Sequence, residues 1–155
     1  MHKQITVDSF HIGQQIEDVL AHVRDKPKVQ VLMDDGERRY DFPSGLSIRT
    51  SINDGQIIAI RGGREITLPD ATRLNIGDSI EAVLRCLGEP VQKMEGCDLD
   101  WDKGPYTDKE IEAAPRRILR VAYVVEPIAI RFDFLREPKI DLVSIRKFSQ
   151  GFELL

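Results

Sequence analysis

The sequence lacks most of the features that identify an enzyme, a metalloprotein or a membrane protein. Its two cysteines and three histidines form no CxxC pair and no spacing typical of metal ligands. It contains none of the motifs GxSxG, GxGxxG, HExxH or Walker A. No apolar run approaches the ~20 residues that a membrane-spanning helix needs. We therefore expect no enzymatic activity, no metal or other cofactor, and no membrane partner.

The start of the chain and its net charge predict the cellular location and one class of partner that is not expected. The segment MHKQITVDSFHIG has neither the apolar stretch nor the cleavage site of a signal peptide, which predicts a cytoplasmic protein. Cys86 and Cys97 are accordingly expected to be reduced, with a disulfide between them as the alternative. The net charge of −4 does not suggest the basic patch of a nucleic-acid surface, so we expect no nucleic-acid partner.

An internal repeat is the clearest positive feature. The segment FHIGQQIEDVL, from Phe10, returns at a constant offset as LNIGDSIEAVL, from Leu74. In each copy, apolar residues recur at i, i+3, i+4 and i+7, which predicts a helix with one buried face. These residues are Ile16, Val19, Leu20 and Val23 in the first copy and Ile80, Val83, Leu84 and Leu87 in the second. Asp78 and Glu81 have the spacing of a capping box, and Gly88 is placed to end the second helix.

Strand-like sequence follows each helix. The segments RRYDF, GLSIRTSI and QIIAI in the first half, and ILRVAYVV, IAIRFDFL and KIDLVSI in the second, are separated by turn residues. In GLSIRTSI and IAIRFDFL, apolar and polar residues alternate, which predicts half-buried strands with a polar outer face. Arg49, Arg131 and Asp133 are expected on that face, the last two as an ion pair.

These patterns predict an α+β fold of two tandem modules, each a helix plus an antiparallel sheet, packed as one unit. The first repeat is assigned to residues 1–63, the linker to 64–73 and the second repeat to 74–155. The second repeat is longer because an acidic segment, residues 95–117, is inserted after its helix; we call this segment the acidic arm. One helix per module leaves much apolar sheet to cover, so the two modules are expected to pack together.

The acidic arm concentrates negative charge. From Glu95 to Glu112 there are seven acidic residues and two lysines, a local net charge of −5, so the remainder of the chain carries +1. Its segment GCDLDWDKGPYTDKE has aspartates at alternate positions, as a calcium loop does. An EF-hand loop needs glycine at its sixth position and glutamate at its twelfth, where this sequence has Lys103 and Lys109. We therefore favour a protein-binding arm over a calcium site.

The acidic arm also contains aromatic residues typical of protein interfaces. Trp101, the one tryptophan, lies between two aspartates, and Tyr106 follows. Such residues supply much of the binding energy of interfaces, and surrounding acids accelerate association with a basic partner. The alternative is that Trp101 packs within its own domain beneath a solvated acidic loop. The predicted partner-binding residues are Asp98, Asp100, Trp101, Asp102, Tyr106, Asp108, Arg49, Arg131 and Asp133.

The motifs IGQQIEDVL and IGDSIEAVLRCLGEP, each followed by hairpin-forming strands, resemble the small α/β module of the SmpA/OmlA outer-membrane lipoprotein group. Two such modules in tandem resemble the secreted beta-lactamase inhibitory protein. The hairpin pattern is also similar to that of immunity proteins of bacterial toxin systems. The resemblance runs from Phe10 to Ile145 and implies two adjoining sheets whose concave outer face clamps a target protein. The chain departs from it by having no lipid-attachment cysteine near its start and no cysteine in its first half.

Together these features lead to one main hypothesis and two alternatives. The main hypothesis is a bacterial, cytoplasmic, non-enzymatic inhibitor, an immunity protein that binds and occludes a cognate toxin with a basic surface. The first alternative is a structural or assembly module of the SmpA/OmlA type in the cell envelope. The second is an enzyme or metal-binding protein on the same fold. The sequence predicts no oligomeric state.

Overall fold

A computed structural model describes residues 4–149 and 154 of the chain. In this part the strands are β1 Thr6–Val7, β2 Lys28–Leu32, β3 Glu37–Asp41, β4 Ser47–Ser51, β5 Ile57–Arg61, β6 Glu65–Thr67, β7 Arg73–Asn75, β8 Gln92–Cys97, β9 Arg116–Val125, β10 Ile128–Asp133 and β11 Leu142–Lys147. The α-helices are α1 Ile16–His22, α2 Ile80–Leu87 and α3 Asp108–Ala113. Short 3-10 helices cover Met33–Asp35 and Trp101–Lys103. Over the described ranges, every helix is too short or too polar to cross a bilayer.

Eight strands form one antiparallel sheet in the order β2-β3-β4-β5-β11-β10-β9-β8. The strands from the first half of the chain lie on one side and those from the second half on the other. They meet where β5 pairs with β11, with Ile60 opposite Ile145. Both isoleucines are buried, so the two halves share one apolar layer as well as one sheet. With separate short helices beside it, this antiparallel sheet makes the fold α+β, as the sequence pattern predicted.

A second, smaller sheet joins the segments that precede the two main helices. Its strand order is β1-β6-β7, and all pairings are antiparallel. In β6, Ile66 pairs with Val7 on one side and Leu74 on the other, and none of these three side chains is more than 2% exposed. Residues 64–73, which the sequence suggested as a linker, therefore contribute to this sheet a strand, β6, whose central residue is buried.

The two repeated helices cover the core side of the large sheet. Val19 of α1 and Val83 of α2 are fully buried and belong to the same hydrophobic cluster as the sheet residues. The predicted buried stripe is confirmed on α2, whose Leu84 and Leu87 pack against that cluster. On α1 the stripe is narrower than predicted, since Leu20 is 39% exposed.

The start of α2 differs from the sequence prediction. Ser79 is the N-cap residue, and its Oγ accepts a hydrogen bond from the N–H of Ala82 at 3.1 Å. The predicted capping box that begins at Asp78 is wrong, because Asp78 Oδ2 accepts a bond from the N–H of Asn75 at 2.7 Å instead. Gly88 ends the helix with a φ of 75°, a conformation that glycine adopts without strain.

The acidic arm has a folded structure of its own. Residues 98–115 connect β8 to β9 and contain the second 3-10 helix and α3. Thr107 caps α3, and its Oγ1 accepts a hydrogen bond from the N–H of Glu110 at 3.2 Å. The arm is therefore an ordered excursion at one edge of the sheet.

Candidate functional site

The outer face of the large sheet, opposite α1 and α2, contains a cavity of about 770 Å³. Residues of β3, β4, β5, β10 and β11 line it, so both halves of the chain contribute. Because successive side chains of a strand point to opposite faces, Ser47 and Arg49 reach the cavity while Ile48 between them is buried in the core. Leu154, near the end of the chain, also lines the cavity.

Charged side chains dominate this lining. Among the described residues, six are cationic and two are acidic: Arg39, Arg49, Arg61, Arg131, Arg146 and Lys147, with Glu37 and Asp41. The lining thus has a net charge of +4, opposite in sign to the −4 of the whole chain. A concave surface of one charge attracts ligands or partners of the other.

The sheet register places the arginines beside one another. Arg61 of β5 lies opposite Ser144 of β11, and Ser144 lies opposite Arg131 of β10. We call these three residues the central row. Arg61 and Arg131 are separated by two interstrand spacings, or roughly 10 Å. In a neighbouring row, Arg39 of β3 lies opposite Arg49 of β4.

Some of these cations have acidic partners within the cavity. Arg39 Nε lies 3.0 Å from Asp41 Oδ2, and Arg49 Nη1 lies 3.4 Å from Glu37 Oε2. The side chains of Arg39 and Arg49 remain 35% and 42% exposed, so these pairs contribute little stability. Arg61 is exposed, and its side chain has no hydrogen bond or ion pair with any other described residue.

Asp133 is buried, which corrects the prediction that it lies exposed on the outer face. Its side chain is 1% exposed, because Arg120 of β9 and Arg131 both lie against it. Asp133 Oδ1 accepts a hydrogen bond from Arg120 Nε at 2.8 Å and lies 3.3 Å from Arg131 Nε. The predicted ion pair of Arg131 with Asp133 is therefore present, but the carboxylate cannot contact a partner.

The environment of Arg131 is electrostatically unfavourable. Burial lowers the pKa of its guanidinium, and the nearby carboxylate of Asp133 opposes that shift. Three neighbouring guanidinium groups lower the pKa further: Arg120, Arg61 and Arg146. Beside it, Ser144 Oγ is buried and makes no hydrogen bond to any described residue. The central row therefore has more donors and positive charge than its surroundings satisfy.

The acidic arm is neutralised in part by cations. Three of its aspartates have a partner: Asp98 with Arg117 at 2.7 Å, Asp102 with Arg136 at 3.5 Å, and Asp100 with Lys103 at 3.9 Å. Arg117 comes from β9, and Arg136 from the connection between β10 and β11, so neither pair is evident from neighbouring sequence. The arm presents less net negative charge to a partner than its sequence alone implies.

Arg117, the last residue of the acidic arm, also fixes the arm to the body of the protein. Its side chain is 10% exposed, and it donates hydrogen bonds to the backbone oxygens of Phe134, Leu135 and Ile118 as well as to Asp98. Asp98 is thus one of several groups that satisfy a nearly buried guanidinium.

The other predicted contacts of the arm are placed differently. Tyr106 is partly buried, and its hydroxyl donates a hydrogen bond to the backbone oxygen of Asp100 at 2.6 Å. Trp101 begins a 3-10 helix, but the prediction for its side chain lies outside the described part of the structure. Asp102 and Asp108 are exposed, Asp108 in the first turn of α3, where a carboxylate is favoured. These two aspartates are accessible, as a partner-binding role requires.

Over residues 4–149 and 154, no group of three His, Cys, Asp or Glu side chains is placed to hold an ion. Cys86 is exposed, Cys97 is partly buried, and both are free thiols.

Sequence reasoning identified two of the cavity arginines and missed three: Arg39, Arg61 and Arg146. Each has the same outward position in its strand as Arg49 and Arg131 have in theirs. Only LVSIRK carries this signal, because Ser144 and Arg146 alternate with apolar residues; ERRYD has one apolar residue, Tyr40, and IIAIR has one polar residue, Arg61, so neither shows an alternation. The sequence of a single strand does not indicate its neighbours, so the pairing of β5 with β11 was not predicted.

Comparisons with known proteins give limited information. No family model matches the chain, and no curated protein matches it. The fold is similar to that of a solved structure, an extracellular protein containing a SCP domain from Bacillus anthracis, with a TM-score of 0.54. That match has 15% sequence identity and covers 94% of this chain and 48% of the other. The likeness concerns the fold, and this chain spans about half the length of that protein.

Proposed function

We propose that this chain is a non-enzymatic inhibitor that binds and occludes another protein, and that it acts in the cytoplasm as an immunity protein against a bacterial toxin. The observation that carries the proposal is the charged cavity on the outer face, whose lining comes from both halves of one continuous sheet. The sheet holds the backbone of these residues in place, so binding has to order only their side chains, which favours affinity.

We further propose that the chain is a tandem duplication, as its repeated sequence suggests. In each half a helix is followed by four antiparallel strands, α1 by β2 to β5 and α2 by β8 to β11. The strand order places the last strand of each half at the centre and the first at an edge. Two similar units joined edge to edge in this way make one surface broad enough for a protein partner.

The acidic arm is the second proposed contact. Asp102 and Asp108 are exposed, and Asp98 retains 46% of its side-chain exposure despite its ion pair. In this proposal they meet lysine or arginine residues on the toxin, and Trp101 fills a cleft in its surface. A tryptophan in such a role contributes ~2 kcal/mol or more to binding.

Affinity capture from the native cell, followed by an activity assay of the captured protein, tests this function. The chain should capture one protein and, at equimolar concentration, abolish its activity. Trp101→Ala and Asp102→Asn should each weaken capture, whereas Asp34→Asn, an exposed charge at the opposite edge of the sheet, should leave capture unchanged. A captured protein that stays fully active in the complex would contradict an inhibitory role.

A second candidate is the structural or assembly module of the cell envelope. It is favoured by the fold similarity to a protein described as extracellular. Fractionation of native cells separates the two proposals. Recovery with the envelope supports the assembly module, and recovery wholly in the cytosol eliminates it.

A further inference from the structure

We propose that the central row of the cavity, Arg61, Ser144 and Arg131, is a binding site for carboxylate side chains on an acidic segment of the partner protein. This inference rests on the proposed function and adds to it the chemistry of what enters the cavity. It implies that the partner has an acidic segment as well as the basic surface that meets the acidic arm.

The central row contains unused hydrogen-bond donors. The side chain of Arg61 is exposed and forms no hydrogen bond or ion pair with a described residue, and in the sheet Arg61 is separated from Arg131 only by Ser144. Ser144 Oγ is buried without a hydrogen-bond partner among the described residues. A carboxylate has two oxygens that accept bonds from a guanidinium and a hydroxyl together, and the planar guanidinium fork matches its geometry.

The charge beneath the row is also unbalanced. Asp133 Oδ1 is shared by Arg120 and Arg131, so one negative charge serves two guanidinium groups. Arg131 Nε lies 3.3 Å from that oxygen but forms no hydrogen bond with it, because their alignment is poor. With Arg61 beside them, these groups retain a local excess of positive charge. An anion that binds here relieves like-charge repulsion, which strengthens its attraction to the site.

The acids around the cavity favour an acidic peptide over a nucleic acid. A polyanion lying across the sheet would leave the central row and meet Glu37 and Asp41, which line the β3 side of the cavity. It would also approach a chain whose net charge is −4. One or two carboxylates bound at the central row would be repelled less than a polyanion, both by Glu37 and Asp41 and by the net negative charge of the chain. The cavity volume of about 770 Å³ suits a few side chains of a loop.

The test uses the whole chain and a defined probe. The probe is a short peptide with blocked termini and three consecutive glutamates, and the control peptide has glutamines in their place. Binding is followed by backbone amide shifts at low ionic strength, because salt screens exposed charges. We expect the glutamate peptide to shift the amides of the central row and the glutamine peptide to shift none.

Matched variants locate the binding. Arg61→Gln removes an exposed, unpaired charge, so the fold should be retained, and it should weaken peptide binding about tenfold, the value of one charge-assisted hydrogen bond. Arg38→Gln removes the same charge from an exposed position on β3 outside the cavity and should leave the affinity unchanged. Equal weakening by both variants, or no binding of the glutamate peptide, would overturn the site.

Two further outcomes separate this inference from the proposed function. If an oligothymidylate of equal charge binds the central row more tightly than the peptide does, the assignment to acidic protein segments is wrong. If a captured partner binds Arg61→Gln as tightly as the wild type, the site is wrong while the inhibitor function stands. If the peptide binds at the central row but no protein is captured from native cells, the site stands and the inhibitor function is wrong.

Discussion

Replacing Asp133 with asparagine should destabilise the protein strongly, although the change keeps the size and shape of the side chain. The carboxylate is 1% exposed; its Oδ1 accepts a hydrogen bond from Arg120 Nε at 2.8 Å and lies 3.3 Å from Arg131 Nε. A hydrogen bond to a charged group contributes about 1.5–3 kcal/mol. The asparagine side chain would keep one acceptor oxygen but lose the negative charge, leaving two half-buried guanidinium groups to repel each other.

The expected loss follows from the burial of the three groups. Breaking a fully buried ion pair costs about 3–5 kcal/mol. Arg120 and Arg131 retain 21% and 25% of their side-chain exposure, so water compensates part of the lost attraction. We therefore expect Asp133→Asn to lower the free energy of unfolding by about 2–3 kcal/mol, which is a large part of the total for a domain of this size.

Asp98→Asn is the matched control, because it removes a carboxylate that has a similar distance to its arginine but is more exposed than Asp133. Asp98 lies 2.7 Å from Arg117, as close as Asp133 lies to Arg120, but its side chain is 46% exposed. Arg117 is nearly buried, but it keeps its hydrogen bonds to three backbone oxygens when Asp98 is replaced, and water reaches the half-exposed Asp98, so this variant should lose only about 1 kcal/mol. Urea denaturation followed by far-ultraviolet circular dichroism measures both. Equal losses, or a loss for Asp133→Asn below about 1 kcal/mol, would refute the claim that burial sets the magnitude.

Three further predictions test the fold, the first with a control variant. Gly62→Ala should lower the free energy of unfolding by about 3 kcal/mol, because Gly62 has a φ of 83° and an added Cβ would lie 2.5 Å from the backbone oxygen of Gly45. Gly36→Ala is its control. Gly36 has a φ of 65° but open space around it, so this variant should lose about 1 kcal/mol in the same denaturation assay. Burial raises the pKa of Tyr123 to about 12, so the stability that its neutral hydroxyl provides is complete below pH 10 and is lost as the pH rises towards 12. Tyr123→Phe should lower the free energy of unfolding by about 1 kcal/mol at neutral pH. The variant should also lose less stability than the wild type between pH 10 and 12. Ser79→Ala should cost about 1 kcal/mol through loss of the cap on α2, and an unchanged urea midpoint would contradict the role of Ser79 as N-cap.

Features that depend on local periodicity were predictable from the sequence. The α+β class, the buried face of α2 and the outward position of Arg49 and Arg131 all follow from spacings within single segments. Ile80 and Val83 on α2, for example, are both buried as their spacing requires. Such spacings constrain which side of an element is apolar whatever the element packs against.

Features that depend on the neighbours of a strand were not predictable. Asp133 is buried because β9 brings Arg120 beside it, a pairing fixed by sheet order and register. The charge of the acidic arm is offset by Arg117 and Arg136, which are separated from their aspartates along the chain. Strand β6, three residues long, is too short to show an alternation of its own. In the first two cases a long-range contact, absent from any local pattern, determines the environment of the side chain.

The cavity on the outer face is the surface through which this chain is proposed to bind its partner, and one comparison of baits tests that most directly. The wild-type chain, Arg61→Glu and Arg38→Glu are each used for affinity capture from native cells, and the captured proteins are quantified by mass spectrometry. We expect one protein to be captured by the wild type and by Arg38→Glu and to be lost with Arg61→Glu. The same protein captured equally by all three baits would contradict binding through the cavity.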